Sequence, residues 1–327
     1  MDLEEKIALI SRNAEEIVTI EELKELLETK EKPKAYVGYE PSGEIHLGHL
    51  ITVNKLKDLQ KAGFEVIVLL ADIHAYLNEK GTFEEIRELA RRNMRTFVAF
   101  GLKKENTKFV LGSEYQLRED YVLDVLKLAR MTTLNRARRS MDEVSRRKED
   151  PMVSQMIYPL MQALDIAYLG IDVAVGGMDQ RKIHMLAREN LPAIGYKAPI
   201  CIHTPIIAGL DGEKMSKSKG NYISLSDSEE EVERKIMRAY CPQGVVEGNP
   251  IIDLVKHYIF PVFGKLKVER DAKYGGDIEY ESLESLLEDF KAKNLHPMDL
   301  KRAVSKYLNE LLADARKEFM KLESLSP

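Results

Sequence analysis

The chain has 327 residues, of which 44% are hydrophobic and 31% charged, and its formal net charge is −5 at pH 7. That length predicts two domains, or one large domain with an appendage, and the composition allows a sizeable core. The sequence contains no apolar run near the roughly 20 residues that span a membrane, and it starts without the pattern of a secretory signal. Cys201 and Cys241 lie far apart, which favours reduced thiols in a cytoplasmic protein over a disulfide. With His203 nearby, Cys201 has too few partners for a zinc site, so no metal site is expected in the chain.

Residues 1–32 are predicted to be helical, with Thr19 and Glu22 forming a capping box. Strands and helices then alternate. The pattern predicts strands in KAYVGYE, FEVIVLLAD, TKFVLGSE and IDVAVGG, and helices at 47–62, 82–100, 119–130, 132–148, 152–169 and 178–190. The apolar runs lack polar alternation, as in strands covered on both faces. The expected fold class is therefore α/β, a Rossmann-like parallel sheet with helices on both sides and ligands beyond the carboxyl ends of the strands.

The character of the sequence changes after about residue 225. The segment SDSEEEVERKIMRAYC predicts a helix with an acidic first turn, which suits the positive end of the helix dipole. Strong strand patterns are missing from the sequence beyond it. We therefore expect a catalytic domain over residues 1–225 and a small, mostly helical domain over residues 226–327.

Two histidines and several glycines follow the first sheet strand, in YVGYEPSGEIHLGH. Gly38 would let the backbone approach a ligand, and Gly48 would leave room beside the first turn of the next helix. His46 and His49 share one face of that turn, whose amino end favours an anionic phosphate. They can donate hydrogen bonds to phosphate oxygens, although a pair of surface histidines is the simpler alternative.

A second stretch, DGEKMSKSKGN at residues 211–221, concentrates lysines and serines between glycines. A mobile lysine loop could close on a triphosphate and neutralise charge in the transition state. An exposed basic turn explains this stretch equally well when it is considered alone. The two stretches in this order are far more specific than either one.

HLGH resembles the HIGH signature of class I aminoacyl-tRNA synthetases, with Leu in place of Ile, and KMSKS is their second signature. The resemblance implies that His46, His49, Lys214 and Lys217 are catalytic and stabilise the pyrophosphate that leaves ATP. No protein nucleophile is needed in this family, because the amino-acid carboxylate attacks the α-phosphate and the adenylate then esterifies the tRNA 3′ end. Rate comes from positioning and charge stabilisation. Mg²⁺ is expected with ATP, held mostly by phosphates and water.

The segment PMVSQMIYPLMQALDIAYLG is informative about the amino acid. Tyr158, Gln162 and Asp165 fall at i, i+4 and i+7 and share one helix face among apolar neighbours. Burying such groups unpaired costs about 1–3 kcal/mol each. A ligand with an amine at one end and a hydroxyl at the other would satisfy them, whereas a solvent-facing stripe is the alternative.

The whole chain resembles tyrosyl-tRNA synthetases of the archaeal and eukaryotic type. The segments that carry the resemblance are AYVGYEPSG, LLADIHAYLN, TTLNRARRSM, YPLMQALDIAYLG, DVAVGGMDQRKIHMLARE, AYCPQGVVEGNP and HPMDLK. It implies that Tyr36 and Asp165 bind the phenol hydroxyl of L-tyrosine. The implied contacts of the amino group are Tyr158, Gln162 and Gln180, with Glu40 close by. The implied ATP contacts are Gly38, Gly48, Gly177, Asp179, Lys217 and Ser218.

Two other functions stay open at this point. Tryptophanyl-tRNA synthetases share the fold and both signatures, and a related protein could bind tRNA or nucleotide without charging. The Tyr36 and Asp165 pair favours tyrosine, because a carboxylate at the far end of the ring suits a phenol better than an indole. Phenylalanine would leave such a pair unpartnered, so no editing domain is expected; this rejection is a known behaviour of tyrosyl enzymes themselves.

The segment NRARRS, at residues 135–140, is the densest part of a basic run, which fits either a solvated helix face or a phosphate-binding patch. The resemblance places Arg139, Arg181 and Lys182 at the first base pair of the acceptor stem of tRNA(Tyr). It places Tyr274, His296 and Asp299 at the first anticodon base, so residues 226–327 would be an anticodon-binding domain. For His296, a helix cap before Pro297 is the alternative. Enzymes of this family are homodimers, and we expect the same here.

Overall fold

The computed structural model describes residues 1–142, 144, 150–213, 215 and 219–324. A six-stranded sheet lies at its centre. Its strands are β1 (Glu16–Val18), β2 (Lys34–Tyr39), β3 (Glu65–Leu70), β4 (Thr107–Leu111), β5 (Val173–Gly177) and β6 (Ile200–Thr204). The order across the sheet is β1-β6-β5-β2-β3-β4, and every neighbouring pair is parallel except β1 with β6. The predicted α/β fold class is confirmed, with one antiparallel edge strand added.

Helices connect and flank the strands. Those of the first 205 residues are α1 (Leu3–Ser11), α2 (Ile20–Thr29), α3 (Leu47–Lys61), α4 (Asp72–Leu77), α5 (Phe83–Ala99), α6 (Glu119–Met131), α7 (Leu134–Met141), α8 (Val153–Tyr168) and α9 (Arg181–Asn190). Later in the chain come α10 (Glu229–Arg238), α11 (Pro250–Leu254), α12 (Phe260–Phe263), α13 (Leu283–Lys291) and α14 (Pro297–Ser324). Among the described residues, no helix is both long and apolar enough to cross a membrane.

Local chemistry explains where several helices begin. The side chain of Thr19 accepts from the backbone N–H of Glu22, and the Glu22 side chain accepts from that of Thr19, so the predicted capping box is confirmed. Ser228 caps α10 in the same region as its acidic first turn. These starts depend only on neighbouring residues, which is why the sequence predicts them well.

The prediction that residues 1–32 are all helical is wrong in one place. The segment Glu16–Val18 leaves the helical path and pairs with β6, placing Glu16 opposite His203. The strand β6 itself had no predicted counterpart. After residue 225, β7 (Leu266–Val268) and β8 (Ile278–Tyr280) form a small antiparallel hairpin. Strands of three residues have almost no periodicity, and the partner of β1 also lies far away in the sequence.

The order in which the chain adds strands to the sheet reverses between β2 and β5. From β2 the chain adds β3 and β4 on one side, whereas β5 and β6 lie on the other. Ligands of open parallel sheets bind outside the carboxyl ends of the strands at such a point. Here those ends are Tyr39 and Gly177.

The chain forms two compact units. One contains residues 1–44 and 52–205, and the other contains residues 45–51 and 206–327. Within the second unit, Leu47 donates its backbone N–H to Ile223 (2.8 Å), and the Tyr258 hydroxyl donates to the Leu47 carbonyl (2.8 Å). The first turn of α3 is therefore packed with the later part of the chain. The functional division into residues 1–225 and 226–327 stays a prediction.

Candidate active site

One oxygen of a buried carboxylate is fully occupied and the other is not. Asp165, on α8, accepts at Oδ1 from the hydroxyls of Tyr115 (2.7 Å) and Tyr121 (2.8 Å) and from Nε2 of Gln116 (2.8 Å). Its Oδ2 has no hydrogen-bond partner among the residues that the structure describes, and His74 Nε2 lies 3.6 Å from it. Asp165 is completely buried. The three donors thus fix the carboxylate and leave one oxygen for a ligand.

The hydroxyl of Tyr36, on β2, is a second buried group of this site. Tyr36 is buried, and in the described part of the chain its hydroxyl makes no hydrogen bond. Burial, and then the charge of Asp165, hold the pKa of Tyr36 well above its ordinary value, so its O–H proton stays in place. A ligand hydroxyl could donate to Asp165 and accept from Tyr36 at the same time. This is the arrangement that a phenol requires.

Burial also raises the pKa of Asp165, while His74 and the donors on Oδ1 act in the opposite direction. The residues that hold this carboxylate, Tyr115, Gln116, Tyr121 and His74, were not singled out from the sequence. Three of them follow β4, whose carboxyl end lies on the ligand edge of the sheet. The same rule that predicted the edge could have found them.

Amide and carboxylate groups lie further towards the beginning of α8 and in the loops facing it. Gln162, on α8, donates to the side chain of Gln180 (3.0 Å), which follows β5. Tyr158 is buried, and its pKa is raised by burial and then by Glu40, to which its hydroxyl is hydrogen-bonded. Glu40 follows β2, accepts from Asn78 (2.9 Å) and pairs with Lys80 (3.2 Å). The structure therefore brings together the residues predicted for the amino group.

Two glycines make the close packing of this pocket possible. A Cβ on Gly38 would lie 2.9 Å from the Tyr36 hydroxyl. A Cβ on Gly176 would lie 2.9 Å from the Gln180 Cβ and 3.0 Å from the His184 Cε1. Gly38 thus has a packing role beside Tyr36, and its predicted ATP contact stays untested. Gly177 ends β5, and Asp179 lies in the 3₁₀ turn Met178–Gln180.

The second unit holds both predicted histidines. The rings of His46 and His49 lie 4.0 Å apart between centroids, and Tyr222 lies 5.1 Å from the His46 ring. A Cβ on Gly48 would come within 2.8 Å of Met215 Sδ and 3.0 Å of His46 Cε1, so a larger residue would require these side chains to shift. The close packing agrees with the room that Gly48 is expected to leave beside this turn, whereas its ATP contact stays a prediction.

Backbone contacts fix the protonation of these imidazoles. Gly48 donates its N–H to Nδ1 of His46 (3.2 Å), and His46 donates its N–H to Nδ1 of His49 (3.2 Å). Each ring therefore carries its proton on Nε2. Burial lowers the pKa of His46 to about 2 and that of His49 to about 4. Both are neutral donors at pH 7, which suits them to bind phosphate oxygens through Nε2.

Lys214, Lys217 and Ser218 lie outside the described residues, so their predicted roles stay predictions. Lys219, just after them, is paired with Glu213.

The residues predicted for the acceptor stem lie on α7 and α9. Arg139 is exposed and donates only weakly to the Asn135 carbonyl, at 3.4 Å. Arg181 makes a two-point ion pair with Glu16, and Lys182 pairs with Asp142 at 3.1 Å. The last two residues thus have acidic partners within the chain.

The residues predicted for the anticodon lie in the second unit. Tyr274 is 62% exposed, and Lys273 Nζ lies 4.8 Å from its ring centroid. His296 accepts the backbone N–H of Met298 at Nδ1 (3.2 Å), so it has the capping role considered as the alternative. Asp299 lies 3.6 Å from Arg302 in the first turn of α14. An exposed ring offers a face on which a base can stack.

Known proteins resemble the chain over nearly its full length. The model for tRNA synthetases class I (W and Y) matches residues 28–313. A tyrosine–tRNA ligase of Archaeoglobus fulgidus is 75% identical over 97% of this chain and 98% of its own, and one of Methanosarcina barkeri is 61% identical over 96% and 99%. A crystal structure of tyrosyl-tRNA synthetase from A. fulgidus, complexed with L-tyrosine, superposes with a TM-score of 0.93. It is 74% identical and covers 97% of this chain and 100% of its own.

The tryptophanyl enzymes are more distant. A tryptophanyl-tRNA synthetase structure from Aeropyrum pernix has a TM-score of 0.75 and 22% identity, covering 93% of this chain and 83% of its own. That likeness shows a shared fold alone. The chain belongs to the class I aminoacyl-tRNA synthetases for tyrosine and tryptophan, and within them to the tyrosyl-tRNA synthetases.

Proposed function

We propose that this chain is a tyrosine–tRNA ligase, which activates L-tyrosine with ATP and transfers it to the 3′ end of tRNA(Tyr). One observation carries the choice of amino acid: the hydroxyl of Tyr36 and Oδ2 of Asp165 are buried, and no described residue forms a hydrogen bond with either atom. A phenol hydroxyl satisfies both atoms at once. An indole N–H could only donate, so it would leave Tyr36 without an acceptor.

The first step joins the tyrosine carboxylate to the α-phosphate of ATP and releases pyrophosphate. Tyr158, Gln162 and Gln180 hold the amino group, with Glu40 beside them, while Gly177 and Asp179 face the ribose. His46 and His49 donate Nε2–H to the phosphates, and Lys214 and Lys217 neutralise the departing pyrophosphate. ATP enters as its Mg²⁺ complex, with the ion held by phosphates and water. Positioning and charge stabilisation then account for the rate.

The second step needs tRNA(Tyr). Arg139, Arg181 and Lys182 contact the first base pair of the acceptor stem, where arginine and lysine can read base edges and phosphates. Tyr274 stacks on the first anticodon base, with His296 and Asp299 beside it. The exposed ring of Tyr274 supports this role. Both cysteines are free, as suits an enzyme of the cytoplasm.

The enzyme acts as a homodimer. Helix α6 exposes Val122, Leu123 and Leu126, and the neighbouring helix α8 exposes Val153 and Ile157. A contiguous patch of exposed apolar side chains is typical of a protein interface, and exposed apolar residues on two neighbouring helices support such a patch here. A second copy of the chain is the partner that the family implies.

Pyrophosphate exchange with each amino acid in turn tests the function. We expect exchange with tyrosine and none above background with phenylalanine or tryptophan. Exchange with tryptophan alone would reassign the enzyme. No exchange with any amino acid would indicate a related protein that binds tRNA or nucleotide without charging it.

A further inference from the structure

A line of hydrogen bonds leads from the surface of the first unit into its interior. Arg181 donates to Glu16 through Nε (2.7 Å) and Nη2 (2.8 Å). The same Glu16 oxygen that accepts from Nε also lies 2.9 Å from Nδ1 of His203. Nε2 of His203 lies 3.0 Å from Nδ1 of His184. The two histidines are almost completely buried, whereas Arg181 is partly exposed.

The contacts determine which atom is the donor in each of these hydrogen bonds. Arg181 lowers the pKa of Glu16, so the carboxylate can only accept. His203 must then donate from Nδ1, which leaves its Nε2 to accept from Nδ1–H of His184. Burial lowers the pKa of His184 to about 3 and also lowers that of His203, although Glu16 partly opposes the second shift. Two neutral imidazoles thus fix one carboxylate.

The pairing of the sheet strands places Glu16 beside His203. Strand β1 pairs with β6 so that Glu16 lies opposite His203, and Glu15 donates its N–H to the His203 carbonyl (2.8 Å). An isolated ion pair at the surface contributes little. Here the acidic partner is held by a buried donor and by the backbone register. The carboxylate therefore acts as a rigid support for Arg181.

Arg181 uses two of its five N–H groups on Glu16, which fixes the plane of its guanidinium. A fixed fork loses less side-chain entropy when it binds a base edge or a phosphate than a freely rotating one. Among the described residues, Lys182, the next residue, pairs with Asp142 through one nitrogen and one oxygen, and both side chains are about half exposed. The support is therefore specific to Arg181.

We propose that Glu16 is a positioning residue for recognition of the tRNA acceptor stem, and that His203 and His184 hold it in place. This inference rests on the proposed contact between Arg181 and the first base pair. It predicts that Glu16 acts on tRNA through Arg181, with a much smaller effect on activation of tyrosine.

The test combines Glu16→Ala, Glu16→Gln and Arg181→Ala in the full-length enzyme. Aminoacylation is measured with a tRNA(Tyr) transcript and with one whose first base pair is exchanged, and pyrophosphate exchange is measured without tRNA. We expect Glu16→Ala to raise KM for tRNA about tenfold and to weaken the preference for the native base pair. Glu16→Gln, which keeps one acceptor oxygen, should lie between the wild type and Glu16→Ala. In a double variant that combines Glu16→Ala with Arg181→Ala, KM for tRNA should be the same as in Arg181→Ala alone.

Glu22 offers a matched control. It makes a two-point ion pair, at 2.8 and 2.9 Å, with Arg188, which lies on α9 as Arg181 does. Glu22→Gln should leave KM for tRNA and the base-pair preference at their wild-type values. Equal losses in Glu22→Gln and Glu16→Gln would reduce Glu16 to a general stabilising role and overturn the inference.

Two further outcomes separate the inference from the function on which it rests. If Arg181→Ala weakens tRNA use and Glu16→Ala does not, the positioning role is wrong and the acceptor-stem contact survives. If Arg181→Ala leaves tRNA use unchanged, the proposed contact itself fails. Additive effects in the double variant would show that Glu16 acts independently of Arg181, against the inference.

Discussion

At the scale of single residues, Tyr36 has an unusual position for a buried tyrosine, because its hydroxyl has no hydrogen-bond partner within residues 1–142, 144, 150–213, 215 and 219–324. Leaving such a group unpaired costs about 1–3 kcal/mol, which a bound tyrosine would recover. Tyr36→Phe should therefore be at least as stable as the wild type, while kcat/KM for tyrosine in pyrophosphate exchange falls roughly tenfold. Thermal unfolding and exchange kinetics measure the two effects. A less stable variant that uses tyrosine normally would contradict the proposed role.

Asp165→Asn removes the charged acceptor at the same end of the pocket. A hydrogen bond to a charged group is worth about 1.5–3 kcal/mol, so the preference for tyrosine over phenylalanine should fall roughly 10- to 100-fold. KM for ATP should change far less. Competition between the two amino acids in pyrophosphate exchange measures the preference.

Asp124 provides the control for that experiment. It also accepts two tyrosine hydroxyls, from Tyr196 (2.6 Å) and Tyr168 (3.2 Å), but it has no assigned contact with substrate. Asp124→Asn should alter stability without changing the choice between tyrosine and phenylalanine. A preference that survives Asp165→Asn unchanged would rule out the phenol contact.

At the scale of elements, the first turn of α3 links stability to pH. His49 has a pKa of about 4 in the folded chain because it is buried, against about 6.5 when unfolded. Between these values the unfolded chain binds more protons than the folded chain, so the free energy of unfolding rises with pH. The contribution of His49 to stability is therefore lost as the pH falls from 6.5 towards 4. His46, lowered to about 2, acts in the same direction. Above pH 7 neither contributes to the slope.

His49→Asn removes one of these two groups. Its free energy of unfolding should therefore fall less between pH 7 and pH 5 than that of the wild type. Urea titrations at the two pH values measure the difference. Equal losses in both proteins would mean that His49 is protonated alike in the folded and unfolded chains.

Elements formed by interactions between neighbouring residues could be predicted from the sequence, whereas those formed by pairing between distant segments could not. The periodicity of residues 47–62 and 82–100 predicts α3 and α5 within a residue or two, and the capping box at Thr19 marks the start of α2. The strand β1 cannot be predicted this way, because three residues have no period and their partner, β6, follows more than 180 residues later. The sequence therefore predicts local structure, but it does not predict the pairing of distant strands.

At the scale of the whole molecule, the exposed apolar face of α6 predicts self-association. Leu126→Glu places a charge on that face, and burying an unpaired charge is costly, so we expect a monomer of about 37 kDa where the wild type has twice that mass. Light scattering after gel filtration measures the mass. Val262→Glu, at an exposed apolar residue of α12, should leave the dimer intact. A wild-type chain that is monomeric at micromolar concentration would contradict the proposal.

The sequence by itself determined the family, the alternation of strands and helices, and the residues of both signatures. It could do so because short motifs and helix caps depend on residues close together in the chain. Only the tertiary structure decided which oxygen of Asp165 is left for a ligand, and that Arg181 is paired with Glu16. Both depend on side chains that are brought together from β1, from the residues that follow β4, and from α8 and α9, and burial gives each contact its chemical consequence.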